Sequence, residues 1–142
     1  MAIGTKILVL GQNPSAKNKN AKLAFLGTQS GSKLCDWLFH AGVHRFVLAN
    51  LADHVTKNNA PLKQSEIVKI AKSREFKTKL AHYSHVIAVG RQAEKAVRLA
   101  SSDVKFVYIP HPSGLNRVLN EPGSNDRIIE TIKVFVDNGI KV

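Results

Sequence analysis

Residues Thr5–Gly11 read TKILVLG. From Ile7 to Leu10 the run is apolar without a break, and a glycine closes it. A strand with one wet face alternates apolar and polar residues, whereas a strand covered on both faces does not. The run therefore predicts a strand buried on both sides, as in a parallel sheet held between helices. Three later stretches are also short and rich in Val, Ile and Leu: HRFVLANL (44–51), SHVIAVG (84–90) and VKFVYIP (104–110).

The segments between and after these runs have helical spacing. In SGSKLCDWLFHAG (30–42), Leu34, Trp37, Leu38 and Ala41 fall on one side. Ser30 or Ser32 is the expected cap and Gly42 the stop. Cys35 is expected on the apolar face of this helix, as an inert buried thiol. KQSEIVKIAKSREFKTKLAHY (63–83) places Ile67, Ile70 and Ala71 together, with Phe76 and Leu80 assigned to a second helix. Its cations, Lys63, Lys69, Lys72, Arg74, Lys77 and Lys79, are read as a solvated face. RQAEKAVRLA (91–100) is a short helix. SNDRIIETIKVFVDNGI (124–140) is a terminal helix that turns Ile128, Ile129, Ile132 and Phe135 inward and stops at Gly139.

This alternation of strand and helix predicts an α/β fold, a three-layer α/β/α arrangement around a central four-stranded parallel sheet. The length of 142 residues suits one domain over 1–142, and the apolar content of 44% suffices for a core. No apolar run approaches the ~20 residues of a membrane helix. Lys6 is the only charged residue ahead of the first run, which is short and is therefore read as a strand and not as a signal peptide, and a cytoplasmic protein is expected. Cys35 is the only cysteine, so neither an internal disulfide nor a cluster held by four thiolates of one chain can form. The net charge of +11, from 21 Lys and Arg against 10 Asp and Glu, points to a polyanionic partner, nucleic acid before others. No dimer feature stands out, and a monomer is expected.

Parallel sheets of this kind bind ligands beyond the carboxyl ends of their strands. Four loops leave those ends: GQNPS (11–15), NLADH (50–54), GRQAE (90–94) and PHPSGLNR (110–117). They contain no phosphate-binding G-x-x-x-x-G-K-[ST], no spaced glycines of a dinucleotide site and no G-x-S-x-G elbow. The histidines are read as scattered and no paired-carboxylate motif appears, so no metal is expected. His111 and Ser113, two apart on one loop, rarely meet at the ~3 Å a hydrolytic pair needs.

The polar groups that remain have other chemistry. Asn13 can orient a water or an amide-like ligand, although an amide is a poor base. Asn50 can read one edge of a pyrimidine, or serve as a turn residue. Phe25 can stack on a planar ligand or anchor its loop. His111 can donate a hydrogen bond to an oxygen that gains negative charge. Leu115, at a loop tip, can wedge into a base stack, and Arg117 can clamp a phosphate.

Two motifs together, GQNPS and HPSGLNR, give the chain a resemblance to the uracil-DNA glycosylase superfamily. AFLGTQSGSKLCDWL (24–38), FVLANLAD (46–53) and HVIAVGRQAEKAV (85–97) resemble further family segments, so the likeness spans roughly residues 5 to 135. It implies a monofunctional enzyme that flips a base out of DNA and hydrolyses the N-glycosidic bond of uracil or a related damaged or modified pyrimidine. An abasic site is left and no cofactor is used. By this resemblance Asn13 positions the attacking water, Phe25 stacks on the flipped base and Asn50 bonds its Watson–Crick edge. Gln12 offers its backbone N–H to the base. His111 stabilises charge on the pyrimidine O2, while Pro112, Ser113 and Gly114 shape the loop that compresses the DNA backbone. Leu115 enters the space the base leaves. The efficient uracil-specific branch carries aspartate and a tyrosine in the first motif, where this chain has Asn13 and Ser15. The mismatch-directed and single-strand-selective branches also use asparagine. Asp53 is a second candidate for activating water. Two other readings stay open: a non-catalytic DNA-binding protein on the same fold, and an enzyme of free nucleosides or modified bases.

Overall fold

The structure, a computed structural model, describes residues 6–11, 29–51, 63–100, 103–112 and 122–138. In chain order they form β1 (Ile7–Gly11), α1 (Gln29–His40), β2 (Val47–Asn50), α2 (Gln64–Lys72), α3 (Arg74–Ala81), β3 (His85–Val89), α4 (Arg91–Leu99), β4 (Lys105–Ile109) and α5 (Ser124–Asn138). The four strands are hydrogen-bonded in the order β2-β1-β3-β4, and every pairing is parallel. The three-layer parallel architecture expected from the apolar runs is the one observed.

Side chains alternate across each strand and so divide the core in two. Ile7, Val9, Ile87, Val89, Val107 and Ile109 face α1 and α5, where Leu34, Trp37, Ile132 and Phe135 meet them. Leu8, Leu10, Val86 and Ala88 face the other way, toward Ile67, Ala71, Phe76, Leu80, Ala93 and Ala96 of α2, α3 and α4. All five residues of β1 and of β3 are buried, as continuous apolar runs require. Each fully buried aliphatic or aromatic side chain contributes about 1.5–3 kcal/mol relative to exposure. The smaller Ala93 and Ala96 let α4 lie close on the sheet.

Local chemistry sets the helix limits. Gly42, at φ 83°, ends α1: its N–H bonds the Phe39 carbonyl at 3.0 Å, and the Val43 N–H bonds the Leu38 carbonyl at 2.9 Å. This paired closure needs a residue in the left-handed region, which glycine adopts without strain. Ser73 divides α2 from α3. Its hydroxyl donates to the Ile70 carbonyl at 2.7 Å and accepts from the Phe76 N–H at 3.2 Å. At the other side of the sheet, the Trp37 Nε1–H donates to Asn125 Oδ1 at 2.9 Å and ties α1 to the first turn of α5.

Two expectations for α1 are corrected. The helix begins at Gln29, so Ser30 and Ser32 lie inside it and not at its cap. Cys35 is exposed, not buried. Leu34, Trp37, Leu38 and Ala41 already fill the inward stripe, and one step of ~100° carries position 35 off it, toward Asp36 and Phe39 on the wet side. In α5, Ile128, Ile132 and Phe135 are buried as expected, Ile129 packs half-buried against them, and Val136 joins the core. Gly139 lies outside the described residues. Lys63, Lys69, Lys72, Arg74, Lys77 and Lys79 are all exposed, as a solvated face should be.

Candidate functional site at the carboxyl edge

All four strands are parallel, so the segments that follow them leave from one edge of the sheet. Strand order then decides which residues become neighbours. The chain passes from β1 to β2 on one side and returns to β3 on the other, so the crossovers diverge between β1 and β3. Such a switch point opens a crevice. At this point β1 ends on Gly11 and β3 is followed at once by Gly90.

Asn50 stands on one flank. It pairs in register with Gly11, and the next N–H, of Leu51, bonds the Gly11 carbonyl at 2.8 Å. These bonds fix the backbone from which the half-buried carboxamide projects. His111 stands on the other flank, two residues beyond β4. The Gly90 N–H bonds the Ile109 carbonyl at 2.9 Å and locks the end of β4 to the turn after β3. Gly90 has φ 89° and ψ 166°, a region open essentially to glycine alone. A Cβ there would stand 3.5 Å from His111 Cβ and 3.7 Å from its Cδ2, so the histidine side chain rests over this glycine. Pro112 behind it is buried.

Burial pushes the His111 imidazole below its ordinary value. The ring is therefore neutral at neutral pH, with one N–H and one lone pair. A half-buried neutral imidazole keeps one N–H that can donate to a developing oxyanion. Asn50 adds a donor and an acceptor, about three strand spacings or roughly 14 Å across the edge.

A fixed cation lies beside this edge. The Arg91 guanidinium, in the first turn of α4, stacks 3.9 Å from the centre of the Tyr108 ring and bonds Glu94 at 2.9 Å. Glu94 also accepts from Arg98 at 3.2 Å. Burial works to raise the Glu94 carboxyl, but the bonds from Arg91 and Arg98 outweigh it and hold the group below its ordinary value. Gly90 and Arg91 had no role assigned from sequence. The available signal was a glycine at the junction of an apolar strand and a helix; the Tyr108 contact comes from a strand apart in sequence.

Of the residues proposed from sequence, Asn50 and His111 are on this edge. Gln12, Asn13, Phe25, Asp53, Ser113, Gly114, Leu115 and Arg117 lie outside the described residues. Among the described residues, no three His, Cys, Asp or Glu side chains gather as a metal site. The reading of scattered histidines passed over one pair, His40 and His44, which stand four apart. Gly42 ends the helix between them, and both rings pack edge-on against Phe39. No described helix is long and apolar enough to cross a membrane.

The strand order, reversing between β1 and β3, defines a doubly wound α/β protein. The Uracil DNA glycosylase superfamily model matches residues 1–133, and the chain belongs to that superfamily. No curated protein matches it.

Proposed function

We propose that the protein is a monofunctional DNA glycosylase that hydrolyses the N-glycosidic bond of uracil or a related damaged or modified pyrimidine. The observation that carries this reading is the His111 imidazole resting over Gly90, on the edge shared with Asn50, in a chain of this superfamily. Cleavage leaves the electron pair on the pyrimidine, whose O2 takes up negative charge, while C1′ of the sugar becomes cationic. An N–H donor held in a partly dry site stabilises that charge far better than it would in water. His111 supplies the donor, and water held by Asn13 adds to C1′ while its proton passes, directly or through solvent, to the departed pyrimidine anion. Little basicity is needed once the base departs as an anion, so an amide suffices to place the water.

Asn50 and the Gln12 backbone read the flipped base and Phe25 stacks on it. Leu115 fills the gap in the duplex. Pro112, Ser113 and Gly114 shape the loop against the DNA backbone, while Arg117 and Arg91 meet phosphates. The +11 charge supplies the salt-dependent share of the affinity. The protein works in this reading as one cytoplasmic domain, a monomer, without cofactor.

The test is a panel of oligonucleotides with one uracil or one modified pyrimidine, single-stranded or opposite guanine or adenine. Alkali-labile sites should appear with at least one substrate. Tight binding to the whole panel with no alkali-labile product would instead favour a DNA-binding protein without chemistry.

A further inference from the structure

We infer that the opposite, amino-terminal edge of the sheet is a second nucleic-acid surface, which holds a single strand of DNA. Four distant segments arrive there side by side: Arg45 ahead of β2, Lys6 ahead of β1, Tyr83 ahead of β3 and Lys105 at the start of β4. Two grooves run along this edge, of about 480 and about 460 Å³. Lys105 and Asp103 line the first, Lys6 and Arg45 line the second, and Tyr83 lines both.

Lys6, Arg45 and Lys105 are exposed, and none has a carboxylate partner among the described residues. Asp103 is the one acidic side chain in either lining. Four strands at ~4.8 Å spacing set these cations along roughly 14 Å, the scale of a short run of nucleotides. A half-buried tyrosine between flanking cations is the arrangement that takes a base against its ring and phosphates on either side. A duplex hides its base faces, so the partner is a single strand. This surface lies across the sheet from Asn50 and His111, so both edges can be occupied together, and the inference does not depend on glycosylase activity. A strand held at both edges gains residence time without any stronger contact at either.

The test measures binding of a labelled, uracil-free oligodeoxythymidylate across a salt series. The variant K6Q/R45Q/K105Q should bind about tenfold more weakly at low salt, with a log–log salt slope shallower by about 2. Tyr83→Ala should cost about fivefold or more and leave the slope unchanged. Should the triple variant fail to fold, R45Q/K105Q carries the same test, with a slope change of about 1.4. An unchanged slope in the folded variants overturns the inference. So does equal competition by polyglutamate of matching charge together with an inert Tyr83→Ala, since any polyanion would then serve. The probe contains no uracil, so a protein that fails to excise bases can still pass.

Discussion

At the carboxyl edge β1 ends on Gly11, β3 gives way to Gly90, and His111 rests on that second glycine. At the amino edge β3 opens instead on His85, a histidine only 8% exposed that is gripped from several sides. Its Nδ1 lies 2.8 Å from Ser84 Oγ, and its ring meets Phe135 edge-on at 5.0 Å. Ser84 Oγ donates in turn to the Lys6 carbonyl at 3.0 Å and accepts the Lys6 N–H at 2.8 Å. That hydroxyl has one proton, so His85 must donate from Nδ1, and Nε2 is left as a buried lone pair with no hydrogen-bond partner among the described residues. Burial lowers the proton affinity of both rings, with the Lys105 charge adding to the effect at His85. The same shift thus has two uses. Seated on glycine at the open edge, a neutral imidazole can act on a ligand. Enclosed by Phe135 and Ser84, it joins β1, β3 and α5.

The sharpest way to break this comparison is to remove each ring in turn. His111→Ala should lower base release about 10²- to 10³-fold, the usual loss for one oxyanion donor, with little change in melting temperature. His85→Ala should do the reverse, destabilising the fold while the folded fraction keeps its release rate. Equal losses of rate in the two variants would erase the distinction.

Two of the positive-φ glycines, Gly90 and Gly42, sharpen it next. Gly90→Ala should cost about 1–3 kcal/mol of stability in urea unfolding, because the backbone there excludes side chains. Gly42→Ala, at φ 83° with open space around it, should cost about 1–2 kcal/mol. The difference lies in function: a Gly90→Val side chain should displace His111 and slow base release, and Gly42→Ala should not touch it.

Acid should separate the edges as well. Both histidines hold folded-state values below those of the unfolded chain, so above about pH 6.5 neither state takes a proton there and stability is full. As the pH falls below that point the unfolded chain binds protons that the fold refuses. Stability then drops by at most about 1.4 kcal/mol per pH unit for each ring. Urea midpoints of His85→Phe should fall less steeply with acid than those of the parent. The smallest effect belongs to Arg91→Ala, which should weaken substrate affinity a few-fold and flatten its salt dependence while the single-turnover rate holds.

Sequence carried the sheet because strands buried on both faces leave unmistakable apolar runs, and Thr5–Gly11 and 84–90 are such runs. It carried the placement of Asn50 and His111 at the carboxyl edge, because a polar residue at or just past the end of such a run has no place in a core. It misplaced Cys35, whose place between Leu34 and Trp37–Leu38 concealed its position off the inward stripe of α1. It was silent on His85, since a histidine at the start of a strand says nothing about the Phe135 that will cover it from a helix 50 residues on. The amino-edge cations were illegible for a related reason. Residues 6, 45, 83 and 105 become neighbours only through the strand order β2-β1-β3-β4.

The most direct measurement is single-turnover release of free uracil from a uracil-containing single strand, followed by mass detection of the base, for the parent and for His111→Ala. The account predicts free uracil and an intact abasic strand from the parent, and a rate lower by about two to three orders of magnitude in the variant. Release at equal rates from both proteins would contradict the role given to His111. No release by the parent from this strand, nor from any other pyrimidine substrate, would contradict the glycosylase itself.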